Sequence, residues 1–415
     1  MLEQILSRDN LSAAYKQVKR NRGCAGVDGI TVDELRTVLW DSWAFIKADI
    51  LDGTYIPSPV KRVEIPKPNG GKRSLGIPTV LDRLIQQATN QVLMKVYDED
   101  FSESSFGYRP NRGAHKAIRQ AQAYLNEGYA QVVEIDLQKF FDTVNHDRLM
   151  SILAEEIKDK RVLRLIRKYL QSGIQLGDVV KPNEQGTPQG GPLSPLLSNI
   201  LLDVLDKELE KRGHRFIRYA DDICIFVRSK KAGERVLRSI SKFLASELKL
   251  KINSEKSGVS KAPRIKLLGF GFYKHRETYR IRVHQKSYDR VKDEIRKISC
   301  KSRSMSMEDR IRRLNWLITG WVNYFKIADC KSHMCELDSW VRCRLRNCVW
   351  KTWKRIRTRI KELIRLGIEK SEAVALGFTR LGGWRICHTP LVQKALPDKY
   401  WKDLGYVGFM ATYQK

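Results

Sequence analysis

The chain has no apolar run approaching the ~18 residues of a membrane-spanning helix, which excludes that class of membrane protein. Its opening residues, Met1-Leu2-Glu3-Gln4-Ile5-Leu6-Ser7-Arg8, carry charges where a secretory leader is apolar, so a cytoplasmic protein is expected. Eight cysteines show no regular spacing and predict no disulfide framework. Cys335, Cys343 and Cys348 near His333 form the one cluster, but they lack the paired C-x2-C spacing of a zinc site and read as small core residues. Internal repeats and long flexible linkers are absent. Acidic charge is also short, with 77 Lys and Arg against 47 Asp and Glu, a net charge of +30 and a pI near 9.8. That excess implies a polyanionic partner, and 415 residues suffice for two or three domains with a large core.

Against this basic background, two carboxylates stand where like charges are costly. Phe216-Ile217-Arg218 and Ile223-Cys224-Ile225-Phe226-Val227 flank Tyr219-Ala220-Asp221-Asp222. Two apolar runs meeting at a two-residue turn predict a β-hairpin with Asp221 and Asp222 at its corner. A bare Asp pair is ordinarily a solvated turn. Adjacent carboxylates repel unless a cation lies between them and a partner, however, and hard divalent ions take such oxygen ligands. A second segment, residues 131–142, ends an apolar strand at Asp136 and turns toward a helix beginning at His146. Alone, Asp136 reads as a helix N-cap. With Asp221 and Asp222 it makes a candidate three-carboxylate cradle for two Mg2+ ions about 3.5–4 Å apart, the arrangement that stabilises the attacking and leaving oxygens of nucleotidyl transfer.

With both segments in view, the chain resembles the reverse transcriptases, and among them the reverse transcriptase and maturase proteins encoded by bacterial group II introns. The YADD box and the segment DLQKFFDTVNHDRL (136–149) match the family's metal-binding motifs, and GTPQGGPLSPLLSNI (186–200) is similar to its template- and nucleotide-binding segment. The resemblance implies an α+β fold, a right hand of fingers, a palm with an antiparallel sheet covered by helices on one face, and a helical thumb. It implies an RNA-directed DNA polymerase whose metals are held by Asp136, Asp221 and the backbone carbonyl of Leu137, with Asp222 in support. Phe140 and Phe141 are implied dNTP neighbours. Phe141 would lie under the incoming sugar, its alternative role being core packing. Gln189 would lie against the new base pair, and the primer's 3′-hydroxyl would be the nucleophile.

The match extends along the chain. Val63–Pro66 and Lys72–Ile77 flank Lys67-Pro68-Asn69-Gly70-Gly71, where Asn-Gly predicts a hairpin carrying Lys67, Lys72 and Arg73 at one tip. Basic tips are ordinarily solvated, whereas the resemblance puts Lys67 and Arg73 on the triphosphate. SFGYRPNRG (105–113) follows the family pattern, and NRGCAGVDG (21–29) is similar to the N-terminal extension of intron and non-LTR enzymes. LKINSEKS (250–257) and LLGFGF (267–272) are similar to the palm lysine segment and primer grip. Lys256 is the candidate general acid for the leaving pyrophosphate, with a plain surface lysine as the alternative.

Ile311, Leu314, Ile318, Trp321 and Phe325 recur at helical spacing and predict an amphipathic helix whose aromatics belong to a core; with GWVNYF (320–325) it is similar to the thumb, or maturase X domain. Residues 281–415 carry 30 basic and 13 acidic side chains. Within them Val341 to Ile360 hold eight basic residues, no acidic one, and Trp350 and Trp353 between. An unbalanced face repels itself unless phosphates neutralise it. Arg342, Arg346, Lys351, Lys354, Arg355 and Arg359 are therefore candidate RNA contacts, against the alternative of a solvated helix face.

The expected organisation is an N-terminal extension over 1–50, fingers and palm over 51–285, thumb over 286–375 and a tail over 376–415. The tail would help bind target DNA, as in the shorter group IIC class, since no H-N-H endonuclease pattern follows the thumb. The partners implied are intron RNA, an RNA template with a DNA primer, target DNA and dNTPs, with no membrane. Two other readings stand beside this one. The first is a related reverse transcriptase in phage defence, a CRISPR locus or a diversity-generating element. The second is a maturase that only binds RNA to assist splicing, against which the three intact Asp residues argue.

Overall fold

Side-chain caps and apolar stripes decide where the chain coils. Thr79, Asn145, Ser229 and Ser306 accept hydrogen bonds from the N–H groups of Asp82, Arg148, Ala232 and Asp309, and each opens a helix. The computed structural model describes residues 1–66, 70–177 and 179–414 and divides into two units, Met1–Lys261 and Ala262–Lys415.

The first unit begins with α1 (Leu2–Ile5), α2 (Arg8–Asn21) and α3 (Leu35–Asp52), then β1 (Val60–Pro66), β2 (Lys72–Ile77), α4 (Val80–Tyr97) and α5 (Ala114–Asn126). It continues through β3 (Gln131–Asp136), α6 (Phe140–Thr143), α7 (His146–Glu156), α8 (Lys160–Gln171), β4 (Ile174–Leu176) and β5 (Val179–Lys181). It closes with α9 (Ser194–Lys211), β6 (Arg215–Tyr219), β7 (Asp222–Val227), α10 (Lys230–Glu247) and β8 (Gly258–Lys261). One sheet has the order β2-β1-β4-β5, with β1 and β4 parallel. The other, β6-β7-β3-β8, is antiparallel throughout.

Strand alternation sorts the antiparallel sheet into two faces. Val133 and Ile135 of β3, with Ile223, Ile225 and Val227 of β7, join the main core under the helices. On the opposite face the register pairs Val132 with Phe226, Glu134 with Cys224 and Asp136 with Asp222. Tyr124 of α5 packs on Phe226 at 5.5 Å between ring centroids, so the far end of this face is covered as well. The expected palm, a sheet with helices on its core face, is what forms. Leu2, Ile5, Leu6, Ala14 and Ile50 belong to the same core, so residues 1–50 pack as part of this unit.

The second unit holds β9 (Phe270–His275), β10 (Thr278–Val283), α11 (Gln285–Ile298), α12 (Met307–Phe325) and α13 (Lys331–Thr352). After these come α14 (Ile356–Arg365), α15 (Lys370–Gly377), α16 (Gly383–Ile386), α17 (Pro390–Ala395), α18 (Asp398–Asp403) and α19 (Phe409–Tyr413). As its periodicity predicts, α12 buries Ile311, Leu314, Ile318 and Phe325, while Trp321, expected with them, is only half-buried against Phe325 and Phe409. Residues 376–415 do not stand apart. The carboxylate of Asp338 on α13 accepts the Tyr406 hydroxyl at 2.9 Å and the N–H groups of Phe409 and Met410 at 2.7 and 2.8 Å, and Trp401 is wholly buried. The division falls at 261/262, and residues 376–415 pack within the second unit. Among the described residues, no helix is long and apolar enough to cross a membrane.

Candidate active site

β6 and β7 meet at a two-residue turn, so Asp221 lies in the turn and Asp222 opens β7, as the hairpin pattern predicts. Directly opposed residues of an antiparallel pair share a face, with Cβ atoms about 4.5–5.5 Å apart. The register partners Asp136 and Asp222 therefore project together from the face turned away from the core. Next along that face, burial pushes the Cys224 thiol well above its ordinary range, and the Glu134 and Asp222 charges add to the effect. Negative charge thus accumulates at the open end of the face, a setting that favours a cation.

The strand end carrying Asp136 is clamped by the segment after α10. Asp136 N–H donates to the Ser257 hydroxyl at 3.0 Å, and its carbonyl accepts the N–H of Asn253 at 2.8 Å. Gln138 N–H donates to the Lys251 carbonyl at 2.8 Å, and Leu137 bridges Ile252. The same segment brings the Lys256 ammonium to 3.7 Å from the Asp136 carboxylate, with both side chains substantially exposed. Lys256 thus stands at the site, paired to the candidate metal ligand. Ser257 had no assigned role in the sequence; a Ser whose hydroxyl ties down backbone distant in the chain leaves no periodic signal.

Phe140 and Phe141 are both buried and meet edge to face at 5.2 Å. Phe141 nevertheless lines a cleft together with Gly76, Lys139, Asp142, Thr187, Pro188 and Gln189. The loop carrying Gln189 is stitched to this spot. Thr187 N–H donates to the Phe141 carbonyl at 2.6 Å, Gly186 N–H donates to the Val144 carbonyl at 2.8 Å, and His146 Nε2 lies 2.7 Å from the Gly186 carbonyl. Gly186 has φ +89°, and a Cβ there would lie 2.7 Å from the Phe141 carbonyl oxygen, so the close approach requires glycine. Gly76 N–H donates to the Gln189 carbonyl at 2.7 Å and joins the β1–β2 hairpin to the loop. Arg62 and Lys139 also line the cleft, two cations the sequence did not single out. Lys67 lies outside the described residues, as does the side chain of Arg73; Lys72 pairs with Glu64 at 2.6 Å.

The charged thumb residues divide in two. Arg346 is buried and donates to the Leu396 carbonyl at 3.0 and 3.1 Å, and Arg342 pairs with Asp398 at 2.8 Å. Arg359 donates to the Trp353 carbonyl at 3.0 Å and stacks over the Trp350 ring at 4.9 Å. Both tryptophans are core residues. Lys351, Lys354 and Arg355 are exposed. Cys343 and Cys348 are buried free thiols, as expected, while Cys335 is exposed.

Residues 65–272 match the family described as "Reverse transcriptase (RNA-dependent DNA polymerase)", and residues 288–367 match "Group II intron, maturase-specific domain". The chain belongs to the group II intron-encoded reverse transcriptases and maturases. It is 33% identical to "Protein YkfC" of Escherichia coli over 317 residues, 66% of this chain and 82% of that protein. It is 37% identical to "Group II intron-encoded protein LtrA" of Lactococcus lactis over 215 residues, 52% of this chain and 36% of LtrA, so it spans about a third of that relative. Among solved structures, the "Partial Cas6-RT-Cas1--Cas2 complex" superposes with a TM-score of 0.38 at 26% identity, covering 59% of this chain and 42% of that one.

Proposed function

We propose that the chain polymerises DNA on an RNA template at Asp136, Asp221 and Asp222 with two Mg2+ ions, and that its second unit binds intron RNA to assist splicing. The observation that carries the catalytic half is the register pairing of Asp136 with Asp222 beside the Asp221 turn. The donors are hard carboxylate oxygens with the Leu137 carbonyl beside them, the kind of set that suits Mg2+. Among the described residues, no three His, Cys, Asp or Glu side chains are drawn together tightly enough to hold an ion.

Bound there, two Mg2+ ions would neutralise charge on the attacking and leaving oxygens. The remaining work falls to this chain's own groups. Lys67 and Arg73, joined by Arg62 and Lys139 of the cleft, would hold the triphosphate and offset the charge that moves onto pyrophosphate. Gln189 would support the new base pair, with Phe140 behind Phe141 as the floor under the sugar. Lys256, which pairs with Asp136, would give its proton to the departing pyrophosphate once released from that pair. Because the maturase-specific match covers α12 and α13, we favour intron RNA as the partner over a defence or CRISPR role, with the RNA met in the cytoplasm and target DNA engaged during retromobility. Primer extension on an RNA template with Mg2+, run beside a splicing assay on the flanking RNA, tests both halves. No extension by folded protein would refute the polymerase, and unassisted splicing would refute the maturase.

A further inference from the structure

Arg218 is a charged residue at a core-facing position of β6. Alternation turns it into the core, where its side chain is wholly buried against the equally buried Asp206 of α9. Each donor of its guanidinium is used. Nε donates to both Asp206 oxygens at 2.8 and 2.9 Å, and Nη2 donates to Asp206 at 2.5 Å and to the Ser105 hydroxyl at 2.8 Å. Nη1 donates to Asn199 Oδ1 at 2.8 Å and to the Ala220 carbonyl at 3.2 Å. That last acceptor belongs to the peptide joining Ala220 to Asp221.

Ala220 has φ +57°, a left-handed conformation that costs a residue bearing a Cβ about 1–2 kcal/mol. Such a conformation persists when its surroundings over-determine it. Here they do so from two sides. Ser105 forms an isolated parallel bridge with Arg218 of β6, with Arg218 N–H donating to the Ser104 carbonyl and Phe106 N–H donating to the Arg218 carbonyl, both at 2.9 Å. Gly107 then presses on the turn so closely that a Cβ on it would lie 2.4 Å from the Ala220 nitrogen. The Asn199 amide donates to the Gly107 carbonyl at 2.9 Å and so ties this loop to the group that receives Arg218.

We propose that Arg218, braced by Asp206, Asn199 and Ser105, is a positioning residue that holds the strained Ala220–Asp221 peptide and thereby aims the metal-binding carboxylates of the turn. This rests on the polymerase reading above. A buried ion pair contributes little to stability over apolar residues of similar size, so the double variant Arg218→Met/Asp206→Leu removes the brace without leaving a lone charge. It is expected to fold with a melting temperature near wild type and to bind RNA template unchanged. Its kcat should fall about tenfold to a hundredfold. Its Mn2+ affinity, read by electron paramagnetic resonance of the free ion, should weaken, and amide exchange at 219–222 should accelerate. Adding Ala220→Gly, which removes the left-handed penalty, should restore part of the loss, a rescue that a purely structural role does not give.

Wild-type kcat and Mn2+ affinity in the folded double variant would overturn the proposal, as would a loss of kcat that Ala220→Gly leaves untouched. If the double variant fails to fold, Asn199→Ala applies the same three measurements with the ion pair intact. A wild-type protein without polymerase activity would refute the polymerase reading, while Mn2+ affinity and exchange at the turn would still decide the brace.

Discussion

Asp136, the last residue of β3, and Asp222, the first of β7, are direct partners across the ladder, while Asp221 one residue earlier occupies the turn. Under the proposed metal assignment, removing one ligand of this set should cost several kcal/mol in the transition state, whereas the proposed RNA phosphate contacts would be untouched. Asp221→Asn is therefore expected to abolish primer extension with RNA affinity and splicing assistance nearly intact. Wild-type extension by this variant would end the metal assignment, and a parallel loss of RNA binding would indicate misfolding.

The thumb residues give a contrast within one helix and its extension. Replacing exposed Lys351, Lys354 and Arg355 together by Gln should weaken intron RNA binding and flatten its salt dependence, since each phosphate contact contributes about 0.7–0.9 to the slope of log affinity against log salt. Arg346→Gln should instead lower the melting temperature, because the buried guanidinium anchors the Leu396 carbonyl. An unchanged salt slope in the triple variant would make those three residues a solvated face.

Phe141 is both a core ring and a wall of the cleft. A bulky ring under the incoming sugar excludes a 2′-hydroxyl by overlap at no cost to the deoxynucleotide. Phe141→Ala should admit ribonucleotides while dNTP incorporation continues at a reduced rate, read as the ratio of kcat/KM for dCTP over rCTP on one RNA template. Truncating a buried Phe costs about 3–5 kcal/mol, so Phe141→Val serves as the milder partner. A ratio that stays constant in folded protein would place the sugar gate elsewhere.

The sequence made the hairpin, the strand ending at Asp136 and the amphipathic α12 legible because each is written locally, in alternation, turn residues and helical spacing. It could not show that Arg218 and Asp206 pair, since what joins them is the packing of α9 on β6, nor that Ser257 fixes the backbone of a residue 121 positions earlier. The basic run misled in part for the same reason: charge density does not reveal that Arg342 and Arg346 turn toward Asp398 and Leu396. The tail gave no sign that Asp338 gathers Tyr406, Phe409 and Met410.

Thiol accessibility offers an independent check of the core. Cys24, Cys300 and Cys335 are exposed, whereas Cys224, Cys330, Cys343, Cys348 and Cys387 are buried. Burial pushes the Cys330 thiol up to about 11 and, with the Cys343 charge adding, Cys387 up to about 12. Native protein should take up iodoacetamide at the three exposed positions alone, as read by peptide mass. Rapid labelling of Cys387 would contradict the packing of the tail. Because the folded values lie above the unfolded one, these thiols favour the fold below the unfolded value, and that contribution is lost as pH climbs toward 11 and 12.

The single bond from Gly76 to the Gln189 carbonyl gives the enzyme something like a shared lever. β2 runs from Lys72 to Ile77, and Gly76 near its far end holds the loop that carries Gln189. Under the proposed roles of β2 and Gln189, a displacement of one would be passed to the other through this bond. Under the polymerase reading, the phosphate grip and the base-pair support are one mechanical part, and weakening either should loosen nucleotide choice as well as nucleotide affinity.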